Sequence, residues 1–263
     1  MIMELLATAS GLAVLGFSLR YTWWRKDQSG VPVLMYHQIT DKLNNTPMPN
    51  LRVSPKRFAR QLSFLQKHGY QTITLHQAYN GPVPSKPIVL TFDDAYADFY
   101  HEAWPLLKAR NMTATVFVVT SALGGNNAWD IPKGMPEEQI ITREQLKELH
   151  EGGIEIGGHS HSHMVLTELS ERCLLREITG CQKILTDITG HPARTFSYPF
   201  GLYNDKVCQA VARAGFTLAC TTKPGKMQPR KSEGQLVIPR IIVKRGDNNL
   251  DFRLKLSRAQ SRI

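Results

Sequence analysis

Closely spaced cysteine pairs are absent from this 263-residue sequence. Its four cysteines (Cys173, Cys181, Cys208 and Cys220) form no C-x-x-C motif, and the first two lie eight residues apart in a segment of helical periodicity. That spacing favours thiols in the core over zinc ligands or a disulfide pair. Internal repeats, low-complexity segments and a second-domain boundary are missing as well. A single large α/β domain is the class that fits these absences best.

A stripe of basic residues interleaved with aromatics, the usual mark of a nucleic-acid surface, is also missing. The chain carries a formal net charge of +10, but its basic residues are scattered and concentrate mainly at Arg20–Lys26 and Lys244–Arg262. We therefore predict no nucleic-acid partner. An anionic membrane surface explains the excess of positive charge better.

One long uncharged stretch, Leu5–Leu19, lies near the N-terminus. Tyr21, Trp23 and Trp24 follow it and are suited to a membrane interface, so that about 20 residues can cross a bilayer. A cleaved signal peptide is disfavoured because no basic region precedes the stretch and no clean A-x-A site follows it. A buried core helix is disfavoured because the segment is apolar on every face. We predict a hydrophobic membrane anchor with a basic flank in residues 1–26.

Strand and helix patterns alternate about seven times between Val31 and Val243. One helix is well delimited, since Ser54 can cap it, Pro55 suits its first turn and Gly69 ends it. Alternating strands and helices imply a parallel sheet. We predict a distorted (β/α)7-type barrel over residues 31–243, followed by a basic C-terminal tail over residues 244–263. The predicted strands are 31–36, 71–75, 87–92, 113–119, 154–156, 195–198, 216–221 and 237–243.

Polar clusters follow four of the predicted strands. Asp93 and Asp94 end the strand Pro87–Phe92, "GGHSHSH" (157–163) follows the strand 154–156, and "YPFG" (198–201) follows the strand 195–197. His37 ends the first strand. The carboxyl ends of parallel strands form the active face of a β/α barrel. We therefore expect the four clusters at one mouth.

His159 and His163 are four residues apart, and a helical turn would point both imidazoles the same way. One carboxylate added to them gives a His2Asp metal site with open positions. Adjacent aspartates diverge along an extended backbone, which permits one ligand and one general base. His161 lies about 200° round the turn from His159 and is left out. For each residue alone a structural role, such as helix capping, is the commoner interpretation.

Three motifs resemble those of the NodB-type polysaccharide deacetylases: "TFDDAY" (91–96), "HSHSH" (159–163) and "RTFSYPFG" (194–201). The resemblance extends over residues 31–243. It implies that Asp93 is the general base and that Asp94, His159 and His163 hold a divalent metal, usually zinc. It further implies that Arg194 orients the base and that the Tyr198 backbone N–H helps to bind the oxyanion.

The sequence departs from the common family pattern at two points. Most members supply a proton-donating histidine in a late Leu-x-His motif, whereas this chain has no histidine after Thr221. "VPVLMYHQI" (31–39) instead resembles the N-terminal motif of circularly permuted deacetylases that act on poly-β-1,6-N-acetylglucosamine. We therefore predict His37 as the general acid, with a strand-capping histidine as the alternative. Ala95 also stands where the family usually has glycine, which is costly if the backbone there needs positive φ.

The resemblance implies an N-deacetylase acting on an N-acetylated glycan or a lipid-linked glycan. An O-acetyl esterase using the same site and an inactive glycan-binding module are the alternatives. An Fe(II) oxygenase is disfavoured because H-x-D spacing is absent. We expect a membrane-anchored protein of the cell envelope. Its orientation stays open, because Arg20, Arg25 and Lys26 favour the cytoplasmic side whereas exported polysaccharides are modified outside.

Overall fold

The computed structural model describes residues 26–228 and 235–260, together with residues 11, 14, 16 and 18. Seven parallel strands in this part of the chain form a closed barrel, in the ring order β1-β10-β9-β8-β7-β6-β5 and back to β1. The ring closes because β5 pairs with both β1 and β6. The predicted (β/α)7-type barrel is confirmed. These strands are β1 (Val33–Tyr36), β5 (Pro87–Phe92), β6 (Thr115–Val118), β7 (Glu155–Gly158), β8 (Thr195–Ser197), β9 (Leu218–Pro224) and β10 (Gln235–Ile242).

Three short strands lie outside the ring. β2 (Gln38–Ile39) and β3 (Arg52–Val53) pair with each other beside the mouth. β4 (Gln71–Thr72) extends the sheet at the beginning of β5. The predicted strand 71–75 is shorter in the structure, because Thr74 caps a helix that begins at Leu75.

Helices surround the barrel and begin at caps that the sequence supplies. Ser54 accepts a hydrogen bond from the Arg57 N–H, and Thr142 forms a capping box with Gln145. A π-helical segment, Phe99–Ala103, precedes α3. The helices are α1 (Pro55–Lys67), α2 (Leu75–Asn80), α3 (Trp104–Lys108), α4 (Arg143–Glu151), α5 (Glu171–Thr189), α6 (Asp205–Arg213) and α7 (Asn249–Arg258).

Two apolar clusters hold the barrel together. The larger one lies between the strands and the surrounding helices, as expected for strands covered by helices. The smaller one includes Val33, Val89, Phe117 and Leu218, which come from four different strands of the ring. The carboxyl ends of the strands, in contrast, carry polar side chains.

The two ends of the chain were predicted as an anchor and a tail. The anchor prediction, residues 1–26, lies almost wholly outside the described residues; within the part that is described, none of the helices has the length and apolar character needed to cross a membrane. The segment 244–263 is more than a basic tail, since it contains α7. Phe252 and Leu256 of α7 are buried against the core, which is why this segment folds onto the barrel.

Candidate active site

The four predicted clusters meet at the mouth of the barrel. A cavity of about 700 Å³ opens there, and His37, Asp93, Asp94, His159 and His163 all line it. Each of these residues stands at or just beyond the carboxyl end of a parallel strand, so the barrel itself brings them together.

Asp93 is held by a buried arginine from the last strand. The guanidinium of Arg240 donates to both carboxylate oxygens of Asp93 at 2.7 Å. Its other N–H groups donate to Thr91 Oγ1, to Ser197 Oγ and to the Thr221 carbonyl. All five donors of the guanidinium are thus satisfied, and the orientation of the Asp93 carboxylate is fixed.

Charge and burial act in opposite directions on the two carboxylates. Burial alone would raise the pKa of Asp93, but the charge and hydrogen bonds of Arg240 hold it below its usual value. Burial would raise the pKa of Asp94 as well, but the neighbouring imidazoles of His159 and His163 lower it strongly. Both carboxylates are therefore ionised at neutral pH.

The prediction that Arg194 orients the base is wrong. Arg194 is exposed and immediately precedes β8, at the amino end of the barrel strands and far from Asp93. The position beside Asp93 belongs to Arg240. Motif order along the chain could not reveal this, because Arg240 lies 147 residues from Asp93. One signal was available: a lone arginine stands within the apolar strand "VIPRII" (237–242).

Asp94, His159 and His163 form a cluster with the geometry of a metal site. Their candidate ligand atoms lie within 4.8 Å of one another. The Nε2 atoms of His159 and His163 are each 3.4 Å from Asp94 Oδ1, which is buried and accepts no geometrically acceptable hydrogen bond from the described residues. His159 Nδ1 lies 2.6 Å from the Ser197 carbonyl oxygen, so this nitrogen carries the proton and Nε2 is free to act as a ligand. The donor set fits a divalent metal.

Burial favours the neutral form of His163. It lowers the pKa of this imidazole to about 3, against the opposing effect of the Asp94 charge. A neutral imidazole is the form that binds a metal. For His159, burial alone would lower the pKa, but the adjacent carboxylates of Asp94 and Asp93, together with the Ser197 carbonyl, raise it.

The loop that carries the histidines is not the helical turn that the spacing predicts. Ser160 and His163 both adopt positive φ (63° and 57°), and the Ser160 hydroxyl accepts the His163 N–H at 2.9 Å. Glu177 of α5 accepts from both the N–H and the hydroxyl of Ser162, at 2.8 and 2.5 Å. His161 turns away and its Nδ1 lies 3.1 Å from Thr120 Oγ1, in agreement with its omission from the predicted ligands.

The backbone after β5 explains how two adjacent aspartates point in different directions. Asp94 and Ala95 have φ of 73° and 57°, so the chain leaves the extended conformation directly after Asp93. Positive φ at Ala95 is the condition under which glycine would be preferred. Gly157 is constrained by space instead, because an added Cβ there would lie 2.6 Å from the Phe117 ring.

His37 directly follows β1 and lines the cavity. Its charge would lower the pKa of both Asp93 and Asp94, which places it close to the two carboxylates. Its Nδ1 is buried and has no hydrogen-bond partner among the described residues. His37 thus forms part of the cavity wall, and this nitrogen is left unpaired among the described residues.

The prediction for the Tyr198 backbone N–H is wrong. This N–H donates to the Cys220 carbonyl at 3.1 Å as part of the β8–β9 pairing. The Tyr198 hydroxyl is committed as well, since it donates to the Leu236 carbonyl. Tyr198 nevertheless lines the cavity.

Phe200 forms one wall of the mouth. Its φ is 59°, an unusual value for a bulky residue, and its side chain is 40% exposed. The ring packs edge-on against His163 at 4.7 Å, and Lys133 Nζ lies 4.3 Å from its centroid. Trp129 packs on the other side of His163 at 5.1 Å. These aromatic contacts keep the second histidine in place.

Comparison with known proteins agrees with this geometry. The sequence model described as "Polysaccharide deacetylase" matches residues 80–219, more than half of the chain. Both His37 and Arg240 lie outside the matched residues.

Two relatives and one solved structure show how far the similarity extends. YxkH of Bacillus subtilis (strain 168) is 30% identical over 84% of this chain and 74% of its own. The poly-beta-1,6-N-acetyl-D-glucosamine N-deacetylase of Staphylococcus aureus (strain MSSA476) is 25% identical over 80% of this chain and 77% of its own. The structure of the Streptococcus pyogenes deacetylase PplD in complex with acetate is 28% identical, covers 89% of this chain and 99% of its own, and superposes with a TM-score of 0.73.

Proposed function

The chain belongs to the polysaccharide deacetylase family, and we propose that it is a metal-dependent hydrolase that removes N-acetyl groups from amino sugars of a glycan. One observation carries the proposal. A carboxylate oriented by Arg240 stands beside a buried set of one carboxylate and two imidazoles, and both open into one cavity. This pairing of a base with a metal site suits the hydrolysis of an unactivated amide.

Asp94, His159 and His163 would hold the metal, and two nitrogens with one oxygen suit zinc. A divalent ion there supplies Lewis-acid polarisation of the scissile carbonyl and acidifies water. The protein keeps the ligands ready: His159 is fixed by the Ser197 carbonyl and His163 by its aromatic neighbours.

Asp93 takes the proton of the attacking water. Arg240 keeps this carboxylate ionised and holds its plane, while each oxygen retains a further lone pair for the proton. Arg240 thereby acts through Asp93 and positions the base.

His37 delivers a proton to the leaving nitrogen, which must depart as an amine because an amide anion is a very poor leaving group. Its place on the cavity wall, beside Asp93 and Asp94, supports this role. His37 follows β1 directly, whereas the residues that would hold the metal follow β5 and β7.

A main-chain donor for the oxyanion is needed in place of Tyr198. Proline has no N–H, so the next N–H along this segment belongs to Phe200. We assign the oxyanion donor to Phe200, because it lines the cavity and its left-handed conformation turns the backbone sharply there.

The substrate that we propose is a polymer of N-acetylglucosamine, in line with the name of the Staphylococcus aureus relative. The first test is acetate release from N-acetylglucosamine oligomers. We expect activity with zinc, loss of that activity with a chelator, and its return when zinc is added. Asp93→Asn should lower kcat by at least about 1,000-fold, because the general base is removed. Full activity in the presence of the chelator and in Asp93→Asn would refute the mechanism. Release from O-acetylated xylan alone would identify an esterase.

A second test addresses His37. We expect His37→Ala to bind zinc as the wild type does but to lose about 100-fold or more in kcat, because only proton delivery to the amine is removed. The measurement is kcat together with zinc stoichiometry. Unchanged kcat would assign the proton donor to another residue.

A further inference from the structure

A basic groove runs between α1 and α7 on the flank of the barrel. Its exposed basic side chains are Lys56, Arg60, Lys67, Lys86 and Arg253, which line adjoining depressions along the two helices. α1 contributes four basic residues and no acidic one over its 13 residues. The hydrophobic core is sealed beneath the groove by Phe252 and Leu256 of α7.

The positive charge of the groove is not balanced within it. Asp247 is the one carboxylate among the described residues that line it, and Asp247 is only 4% exposed. Lys255 Nζ and the Lys244 N–H already bind its Oδ2. An approaching ligand therefore meets ammonium and guanidinium groups and no exposed carboxylate among the described residues of the groove.

The N-terminal part of the chain joins the fold at one end of this groove. The Gln28 N–H donates to the carbonyl of Ser257, a residue that lines the groove. Asp27 is 3.5 Å from Arg258 in the next position of α7. The uncharged stretch Leu5–Leu19 therefore connects, through a short basic segment, to the groove itself.

α5 provides a contrasting surface. It follows β7, which is three places from both β1 and β10 in the ring. Its exposed basic residues Arg172, Arg176 and Lys183 are accompanied by the exposed acids Glu171 and Asp187. The uncompensated charge is thus a property of the α1–α7 flank.

We propose that the basic groove docks on the anionic surface of a lipid bilayer, with phosphate headgroups as its ligands. Clustered lysine and arginine side chains bind such surfaces within a Debye length, and each adds to the partition coefficient. A bilayer is favoured over a soluble polyanion because Asp27 and Gln28, which contact α7 at the groove, follow the uncharged stretch Leu5–Leu19 closely in sequence. The proposal is independent of the reaction at the barrel mouth.

The test uses the full chain and measures partition onto vesicles at limiting lipid. Vesicles of phosphatidylcholine are compared with vesicles containing about 30% phosphatidylglycerol at about 0.1 M salt, where surface charges still act. We expect the wild type to prefer the anionic vesicles at least about tenfold. Lys56→Gln/Arg60→Gln/Lys67→Gln should lose most of that preference. Arg172→Gln/Arg176→Gln/Lys183→Gln removes the same charge from α5 and should retain it.

Each remaining outcome would overturn the proposal. Equal partition of the wild type onto both vesicles, or equal losses in the two triple variants, would show that the groove does not recognise the bilayer. Binding of soluble polyphosphate by the groove without a preference for anionic vesicles would assign it to a polymer instead. Circular dichroism and acetate release from soluble oligomers identify any variant that fails to fold, and single substitutions then replace the triple one.

Discussion

At the scale of single residues, the site depends on a buried ion pair that is fully hydrogen-bonded. Arg240 and Asp93 are 1% and 3% exposed. Removing one partner of such a pair leaves an uncompensated charge and typically costs about 3–5 kcal/mol. The pair is tolerated because Thr91, Ser197 and the Thr221 carbonyl take the remaining donors of the guanidinium.

Arg240→Lys keeps the charge but loses the paired hydrogen bonds. We expect kcat to fall about 100-fold with unchanged zinc content, since an ammonium cannot hold the plane of the Asp93 carboxylate. Steady-state kinetics gives kcat, and metal analysis gives the zinc content. Arg194→Lys is the matched control and should stay within about twofold of the wild type, because Arg194 is exposed beyond the other end of β8. A larger loss in Arg194→Lys than in Arg240→Lys would contradict the assignment.

At the scale of elements, the histidine loop is held in its strained form by α5. Two non-glycine residues with positive φ each cost of order 1 kcal/mol, and such strain persists only where neighbours determine the conformation. Glu177 does this by binding Ser162 twice, and the Ser121 N–H adds a bond to the His161 carbonyl. The proposed metal ligands therefore depend on a helix that does not itself line the cavity.

Glu177→Gln should weaken zinc binding. The glutamine amide has one acceptor where the carboxylate has two, so Ser162 loses a partner and His163 is less well placed; affinities then fall about 10- to 100-fold. Competition with a chromophoric chelator measures the dissociation constant. The exposed Glu171→Gln, on the same helix, should leave it unchanged. Equal zinc affinities in the two variants, with equal melting temperatures of the metal-free proteins, would show that Glu177 does not support the proposed ligands.

The elements were predictable where local pattern decides them. β5 begins at Pro87 and ends at Phe92 as its apolar run predicts, and the predicted cap at Ser54 does begin a helix. The conformation of the histidine loop was not predictable, because its backbone is determined by hydrogen bonds with Thr120, Ser121 and α5. A spacing of four residues carries no information about such contacts.

The site as a whole was predictable from strand ends, and its supporting partners were not. Asp93, Asp94, His37, His159 and His163 line one cavity as expected from the parallel barrel. Arg240 was missed because a partner 147 residues away is fixed by ring closure, and the Tyr198 N–H was misassigned because strand pairing had already used it. Long-range pairing, rather than local propensity, accounts for both errors.

At the scale of the whole molecule, one partly buried carboxylate near the barrel mouth makes the stability of the fold depend on pH. Asp98 accepts the Ile39 N–H at 3.1 Å and so ties β2 to the segment after β5. Burial raises its pKa to about 7, aided by the Glu138 and Glu102 charges and opposed by Ile39 and Arg52. In the unfolded chain its pKa is near 3.8. Between these values folding takes up a proton, so stability from this group is lost as pH rises towards 7.

Asp98→Asn should remove this pH dependence while keeping the acceptor for Ile39. Relative to the wild type, we expect the variant to gain on the order of 2–3 kcal/mol in unfolding free energy between pH 5 and pH 8, since the pKa of about 7 lies two units above the lower pH. Urea denaturation at several pH values gives the two curves. Parallel curves would show that Asp98 titrates normally in the folded protein.

Closure of the ring also sets the order in which the molecule can be completed during synthesis. β10 pairs with β1 and β9 and carries Arg240, so a chain that ends before it has two open sheet edges and a buried Asp93 without its partner. At ordinary translation rates, the 147 residues that separate the pair take on the order of ten seconds to add. The nascent chain therefore carries an incomplete site for most of its time on the ribosome, and the last strand completes the barrel and the base together.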